Sequence, residues 1–336
     1  VSPRAAELDR AGVFPSALYA EIGRRGYLNA EFAYLGTGAA YGGVEGSIII
    51  EELSRGLASL GLIVSPHFQC AELLSVAGSD RLKKLIAPAR RGELLLAFAI
   101  SEKRGGSDAM GVDTIAVRDG DRWILNGEKC WVTNSTAADG FIVTAKSPSS
   151  ERSRSMSLFY VDKSAPGLKV PERDRMIGLN NSPMGRIIMD DCIIPADCLV
   201  GPENNAYPLV KPVLNEGRLD MAAVAVGISQ AALEAACARA EKPGLYGRSL
   251  SSYQGVSFPI ADIYTKTMLA RNSLYSVASL MASGLPNTRD AAALKLFATE
   301  SCCEICKSAS QIFGAGGLTA DSRVNRLFRD AQALTV

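Results

Sequence analysis

A chain of 336 residues, 47% hydrophobic and 21% charged, is long enough for two or three domains or one composite unit around an extensive core. Its formal net charge of +1 leaves no global basic field to recruit nucleic acid or an acidic membrane. It has no uninterrupted apolar run of about 18 residues, so no membrane span is expected.

Residues 1–93 read as helices. Ile48, Ile49, Leu53 and Leu57 recur at helical spacing, and Leu73, Leu74, Val76, Leu82, Leu85 and Ile86 fit a helix pair interrupted at Gly78-Ser79-Asp80, where Ser or Asp can cap the next helix. Between 94 and 204 the texture changes to strands and turns. The apolar run 94–100 is followed by 114–117 and 122–125 flanking Asp119-Gly120-Asp121, a hairpin signal. Asn126-Gly127 reads as a second turn, and 129–133, 141–145, 157–161 and 186–189 as further strands. From 205 to 336 helices return. Ile260, Ile263, Tyr264, Thr267, Leu274, Val277 and Met281 recur at three- and four-residue intervals, and 221–240 and 291–313 are also helical, the first of them Ala-rich. The expected fold class is α+β: an N-terminal helical domain, a central β-barrel or sandwich domain, and a C-terminal helical domain.

Cys70, Cys130, Cys192, Cys198, Cys237, Cys302, Cys303 and Cys306 follow no ladder of paired spacings, and read as reduced, mostly buried residues of a cytoplasmic compartment. Cys303-x-x-Cys306 has no second pair and lies in a helical pattern, so packing is the expected role. His67 is the only histidine, which argues against a metal site or a Ser-His-Asp triad. No signal peptide opens the chain, and Val1 is not a natural initiator, so residues are expected ahead of it.

The chemistry concentrates in two stretches: Ile100-Ser101-Glu102 with Gly105-Gly106-Ser107-Asp108, and Asn126-Gly127 with Lys129, Trp131, Thr133 and Asn134. Glycines let backbone N–H groups approach a ligand closely. On a strand, residues i and i+2 share a face, so the Trp131 indole and the Thr133 hydroxyl point the same way. A stacking plane beside a hydrogen-bond donor suits a planar heteroaromatic cofactor. The same residues also suit a plain hairpin with a core tryptophan and a surface turn.

Together with these stretches, Ile177-Gly178-Leu179, Ser182-Pro183, Ile194-Pro195-Ala196, Tyr246-Gly247, Gln254, Gln311-Ile312-Phe313-Gly314, and Arg326 with Arg329-Asp330-Ala331 resemble, in order, the acyl-CoA dehydrogenase family. The resemblance implies a helical domain, a β-domain and a four-helix domain, assembled as a homo-oligomer (dimer or tetramer). It implies FAD lined by Phe98, Ile100, Ser101, Trp131 and Thr133, the Thr133 hydroxyl near flavin N5. Ser107 is expected where acyl-CoA and FAD meet, and Asn215 and Arg218 toward the substrate. Gln254, Gln311 and Gly314 are expected on the dinucleotide half, partly across a subunit contact. Arg218 also reads as a plain salt-bridge residue, and Gln311 as a helix cap.

The implied reaction passes a hydride from the substrate β-carbon to the flavin while a carboxylate takes the α-proton, with the thioester oxygen held by hydrogen bonds. An electron-transfer flavoprotein or similar acceptor is the implied partner, and the mitochondrial matrix the location in a eukaryote. The family's usual Glu is expected just beyond Val336, together with its last helix. At a second family location Gly217 stands instead, and Glu216, one residue back, is turned by about 100° on a helix. Pro243 occupies a position that often holds an Arg for the FAD pyrophosphate, leaving Lys242 or Arg248 as substitutes. Ala315 replaces a common Gly, and Asn215 a frequent acidic residue. Besides acyl-CoA dehydrogenation, the readings are action on an acyl-carrier-protein thioester, a catalytically silent subunit beside an active homologue, or a flavin monooxygenase on the same fold.

Overall fold

The computed structural model describes residues 2–29, 42–147, 155–243, 247–285 and 287–336. The N-terminal part contains α1 (Ala5–Ala11), α2 (Ser16–Arg24), α3 (Gly42–Gly56), α4 (Ala58–Ala77), α5 (Asp80–Lys83) and α6 (Ile86–Arg90). The break expected at Gly78-Ser79-Asp80 is present, and the Ser79 hydroxyl accepts the Leu82 N–H at 3.4 Å as the α5 cap.

The middle part has two four-stranded sheets. One runs β1 (Leu96–Ala99), β4 (Gly140–Ala145), β5 (Ser157–Asp162), β8 (Leu199–Val200). The other runs β2 (Ile115–Asp119), β3 (Arg122–Thr133), β7 (Met184–Pro195), β6 (Leu168–Lys169). All neighbours are antiparallel except β1 with β4. The hairpin expected around Asp119-Gly120-Asp121 forms with Asp119 paired to Arg122 and Gly120 at φ 62°.

The turn expected at Asn126-Gly127 does not form. β3 runs straight through it, because pairing with β7 continues from Leu125 opposite Cys192 to Gly127 opposite Met189, with a register shift between them. Gly127 sits at φ 154°, and a Cβ there would fall 2.6 Å from Thr114 Oγ1. An Asn-Gly pair that reads locally as a hairpin turn is here a β-bulge, because cross-strand pairing overrides the local preference.

The C-terminal part comprises α7 (Tyr207–Ala240), α8 (Gln254–Ala282), α9 (Thr288–Phe313) and α10 (Arg323–Gln332). Small residues allow close crossings: a side chain at Gly61 would strike Ser54 on α3, and one at Gly227 would strike the Glu51 backbone. Two apolar cores result, one among the helices and one inside the β-domain. Helices α4 and α7 contribute to both, so the three parts share walls. By length and composition α4 and α7 resemble membrane spans, but both are mostly buried within the fold. Their apolar faces are used up on packing.

Candidate active site

The wall of the site is built where β1 ends against β3. The Cys130 N–H donates to the Ser101 carbonyl at 2.9 Å, and Lys129 Nζ donates to the Ile100 carbonyl at 3.2 Å. These two bonds lay Ile100 and Ser101 alongside Trp131. Between Lys129 and Val132 the β3–β7 register shifts again, and Trp131 adopts φ 53°. The second bulge keeps Cys130 and Val132 inward and turns Trp131 outward, where 52% of its surface is exposed. Thr133, two residues on, is half-buried. A core tryptophan would be covered; that role belongs to Trp123, 1% exposed and 5.0 Å from the Phe159 ring. Phe98, Ile100 and Ser101 are half-buried. Ser107 is exposed in the adjoining turn, where Gly106 lets the backbone approach Ser101: a Cβ there would come 2.9 Å from Ser101 Oγ. Ile100, Ser101, Glu102, Gly105, Gly106 and Asp108 line a small cleft.

Behind this wall lies a closed polar knot. Lys129 is fully buried, and its ammonium donates to Glu102 Oε1 at 2.7 Å and Thr144 Oγ1 at 2.9 Å as well as to Ile100. Glu102 also accepts from the backbone N–H groups of Asp113 (2.6 Å) and Thr114 (2.9 Å) and from Thr114 Oγ1 (2.7 Å). Burial pushes the Lys129 pKa down to about 8 against the pull of Glu102. Burial pushes the Glu102 carboxyl up, but the ammonium and the Thr114 donors outweigh it and hold it below its ordinary value. Glu102 and Lys129 belong to the motifs visible in the sequence, yet only the fold shows that they meet.

On α7, Asn215 is buried and Arg218 half-buried. Arg218 Nη1 donates to Asn215 Oδ1 at 2.6 Å, and Asn215 Nδ2 donates to Thr288 Oγ1 at 2.9 Å. Arg218 is therefore positioned by a neutral partner. Glu216 is 0% exposed and faces Glu72 on α4 and Asp220 one turn along α7. With all three ionised they are acceptors only, and neither Glu216 oxygen has a donor. Burial, reinforced by Glu72 and Asp220, raises the Glu216 pKa well above the ordinary value, so it holds a proton and can share it with Glu72. Asp220 accepts from Ser65 Oγ (2.7 Å) and Gln69 Nε2 (3.1 Å), and burial pushes it up to about 7. This carboxyl cluster has no local sequence signature, because its members come from two helices far apart in the chain.

Gln254, Gln311 and Gly314 are exposed at one end of the C-terminal bundle, where the start of α8 meets the end of antiparallel α9. Gln311 does not cap the helix with its side chain; the C-cap is Gly314 at φ 60°, whose N–H donates to the Gln311 carbonyl. A Cβ at Gly314 would meet open space. α8 and α9 pack on α7, α3 and each other, whereas β3 packs on β7, β2, β1 and α4. Trp131 and this group thus occupy different regions of the chain. Pro243 follows the end of α7 and bridges to Ser249, and their neighbours Lys242 and Arg248 are exposed. Gly244 and Tyr246 lie outside the described residues.

His67 is a core residue: burial lowers its pKa to about 4, its Nδ1 accepts the Leu96 N–H at 3.2 Å, and its Nε2 lies 3.2 Å from the Ala89 carbonyl. Among the described residues no cluster of His, Cys, Asp and Glu could hold a metal ion.

The profiles described as acyl-CoA dehydrogenase N-terminal, middle and C-terminal domains match residues 1–93, 97–192 and 207–336. The short-chain-specific acyl-CoA dehydrogenase of Clostridium acetobutylicum is 32% identical over 339 residues, covering 99% of this chain and 88% of that protein. The butyryl-CoA dehydrogenase structure from Megasphaera elsdenii superposes with a TM-score of 0.93 at 29% identity, covering 100% of this chain and 89% of that one. A chain of the structure described as the electron transferring flavoprotein of Acidaminococcus fermentans gives a TM-score of 0.93 at 30% identity, with the same coverage. An outward indole with adjacent hydroxyls on a rigid β-wall fits the flavin ring these relatives use. The chain belongs to the acyl-CoA dehydrogenase family and is an FAD-dependent oxidoreductase.

Proposed function

We propose that the protein carries out α,β-dehydrogenation of an acyl-CoA thioester on the face formed by Phe98, Ile100, Ser101, Trp131 and Thr133. The observation that carries this reading is the outward Trp131, 52% exposed beside half-buried Thr133 and fixed by the Ser101–Cys130 bond. FAD, when bound, supplies the hydride acceptor. The indole gives the ring a stacking surface, and the Thr133 and Ser101 hydroxyls offer hydrogen bonds at its edge. Ser107 on the exposed turn and Arg218, held by Asn215, orient the thioester and the CoA moiety. Gln254, Gln311 and Gly314 serve the dinucleotide half across a subunit contact. The exposed Phe258, Tyr264, Met268 and Leu269 of α8 support a homo-oligomer, dimer or tetramer. Glu216 is fully buried against Glu72 and is not placed to take the α-proton, a role the family resemblance gives to a different Glu. A short acyl chain and an electron-transfer flavoprotein as acceptor are favoured by the short-chain relative and the electron transferring flavoprotein structure described above. Anaerobic addition of butyryl-CoA to FAD-loaded protein is expected to bleach the flavin; an unchanged spectrum contradicts the reading.

A second reading, a catalytically silent subunit, is favoured by Pro243 at the pyrophosphate position and the burial of Glu216. It predicts that flavin binds weakly or not at all and that a homologous partner chain copurifies. A carrier-protein thioester as substrate is separated by comparing butyryl-CoA with the same acyl group on a carrier protein.

A further inference from the structure

Resting on the reading of this wall as the flavin face, we propose that Glu102 and Lys129 are positioning residues: their buried ion pair clasps the neck of loop 103–112 and holds Ser101, Gly106 and Ser107 in register with Trp131. The geometry is that of a clasp. Glu102 stands at the loop's entrance and takes the N–H groups of Asp113 and Thr114 at its exit, so a single carboxylate closes both ends. Thr114 Oγ1 adds a third bond from the exit side. Lys129 then fastens the closed neck to the sheet. It reaches Ile100 on the strand leading into the loop, Thr144 on β4 and Glu102 itself, which spends all three ammonium protons. Lys129 is two residues before Trp131 on the same strand, so the clasp adjoins the bulge that turns the indole outward.

Outside its neck, the loop is held chiefly by exposed Arg104, which donates to the Gly111 carbonyl and pairs with Asp113 at 3.6 Å, contacts that solvent weakens. Residues 103–108 are exposed, and Val112 is its buried apolar anchor. Its internal turns close through the Gly105 N–H to the Glu102 carbonyl and the Gly111 N–H to the Asp108 carbonyl, both 2.9 Å. Exposed segments with few buried apolar contacts open at low cost, so the fixed neck carries most of what orders this loop. A buried ion pair is a poor source of stability, since its desolvation offsets most of the Coulomb gain and an apolar pair of similar volume often does as well. Its advantage is direction. Six hydrogen bonds at set angles define where the neck lies, which apolar contact cannot do.

The test compares wild type, Glu102→Gln, and an apolar replacement combining Glu102→Leu with Lys129→Met. Three quantities are read: the thermal midpoint, the rate of tryptic cleavage after exposed Lys103, and FAD dissociation followed by flavin fluorescence. Glu102→Gln is expected to speed cleavage and FAD dissociation about tenfold by releasing the neck locally. The apolar pair is expected to melt within a few degrees of wild type while keeping both accelerations. Wild-type cleavage in Glu102→Gln, or wild-type cleavage and FAD dissociation in the apolar pair, overturns the proposal. Thr114→Val, which removes one bond from the exit side, is expected to raise cleavage about threefold, and no change there also overturns it. The tryptic arm reads the clasp without flavin, so failure of wild type to bind FAD would sink the functional reading and leave this inference to be decided separately.

Discussion

The Cys130 N–H donates to the Ser101 carbonyl at 2.9 Å, and this bond places the polar turn after β1 beside the outward indole of Trp131. It joins the two sequence stretches that carry the chemistry. The bulge at Trp131 aims the ring, and the bond sets what stands next to it.

Trp131→Ala separates a ligand wall from a structural role. With half its surface in solvent, the ring contributes little to the core, so stability is expected to change by less than about 1 kcal/mol. Loss of a stacking surface is expected to weaken FAD binding about tenfold. Denaturant melts and flavin fluorescence titrations check both; a large stability loss with unchanged FAD affinity contradicts the assignment.

Arg218→Ala is expected to raise KM for the acyl-CoA about tenfold and leave kcat within about threefold, the pattern of a contact made equally in the ground and transition states. Lysine should restore little, because the bond to Asn215 Oδ1 uses one arm of a planar fork that lysine lacks. Steady-state kinetics with butyryl-CoA decide it, and a fall in kcat at unchanged KM would place Arg218 elsewhere in the reaction.

The carboxyl cluster of Glu72, Glu216 and Asp220 makes stability depend on pH. The folded pKa of Glu216 is raised by burial and by its two acidic neighbours, and that of Asp220 is pushed up to about 7 by burial. Folded protein then binds more protons than unfolded protein, so this contribution is complete below about pH 4 and is lost as pH rises through the folded values. Wild-type stability is expected to include a loss between about pH 4 and 7 from Asp220, with the Glu216 loss continuing toward higher pH. Glu216→Gln, which brings a permanent donor to Glu72, is expected to reduce that slope. Urea denaturation at several pH values measures it; parallel profiles for the two proteins contradict the arrangement.

Gly127→Ala probes the first bulge. The new Cβ would meet Thr114 Oγ1 at 2.6 Å in a backbone conformation that side chains avoid. A loss of about 1–3 kcal/mol is expected, with faster tryptic cleavage after Lys103, since Thr114 holds Glu102. Unchanged stability would mean that the strand relaxes without strain.

Much of the fold was legible because its signals are local. Apolar spacing marks α3, α4, α8 and α9, Ser79 caps α5, and Gly120 turns the β2–β3 hairpin. Strand alternation alone does not give the exposure of Trp131: two residues back on the same strand Lys129 is buried, and the bulge between Lys129 and Val132 turns the indole out. What escaped depends on partners distant in sequence. Asn126-Gly127 has the composition of a turn, and only pairing with β7 makes it a bulge. Lys129 has the composition of a surface residue, and only Glu102, Ile100 and Thr144 together make its burial tolerable. The angular offset of Glu216 from Gly217 was predictable from helix geometry, but the carboxyls it faces were not.

Titration of apoprotein with FAD, in wild type and in Trp131→Ala, tests the account most directly. Wild type is expected to bind about one FAD per chain and Trp131→Ala to bind it about tenfold more weakly at equal stability. Colourless wild-type protein, or two indistinguishable binding curves, would contradict a flavin seated against Trp131.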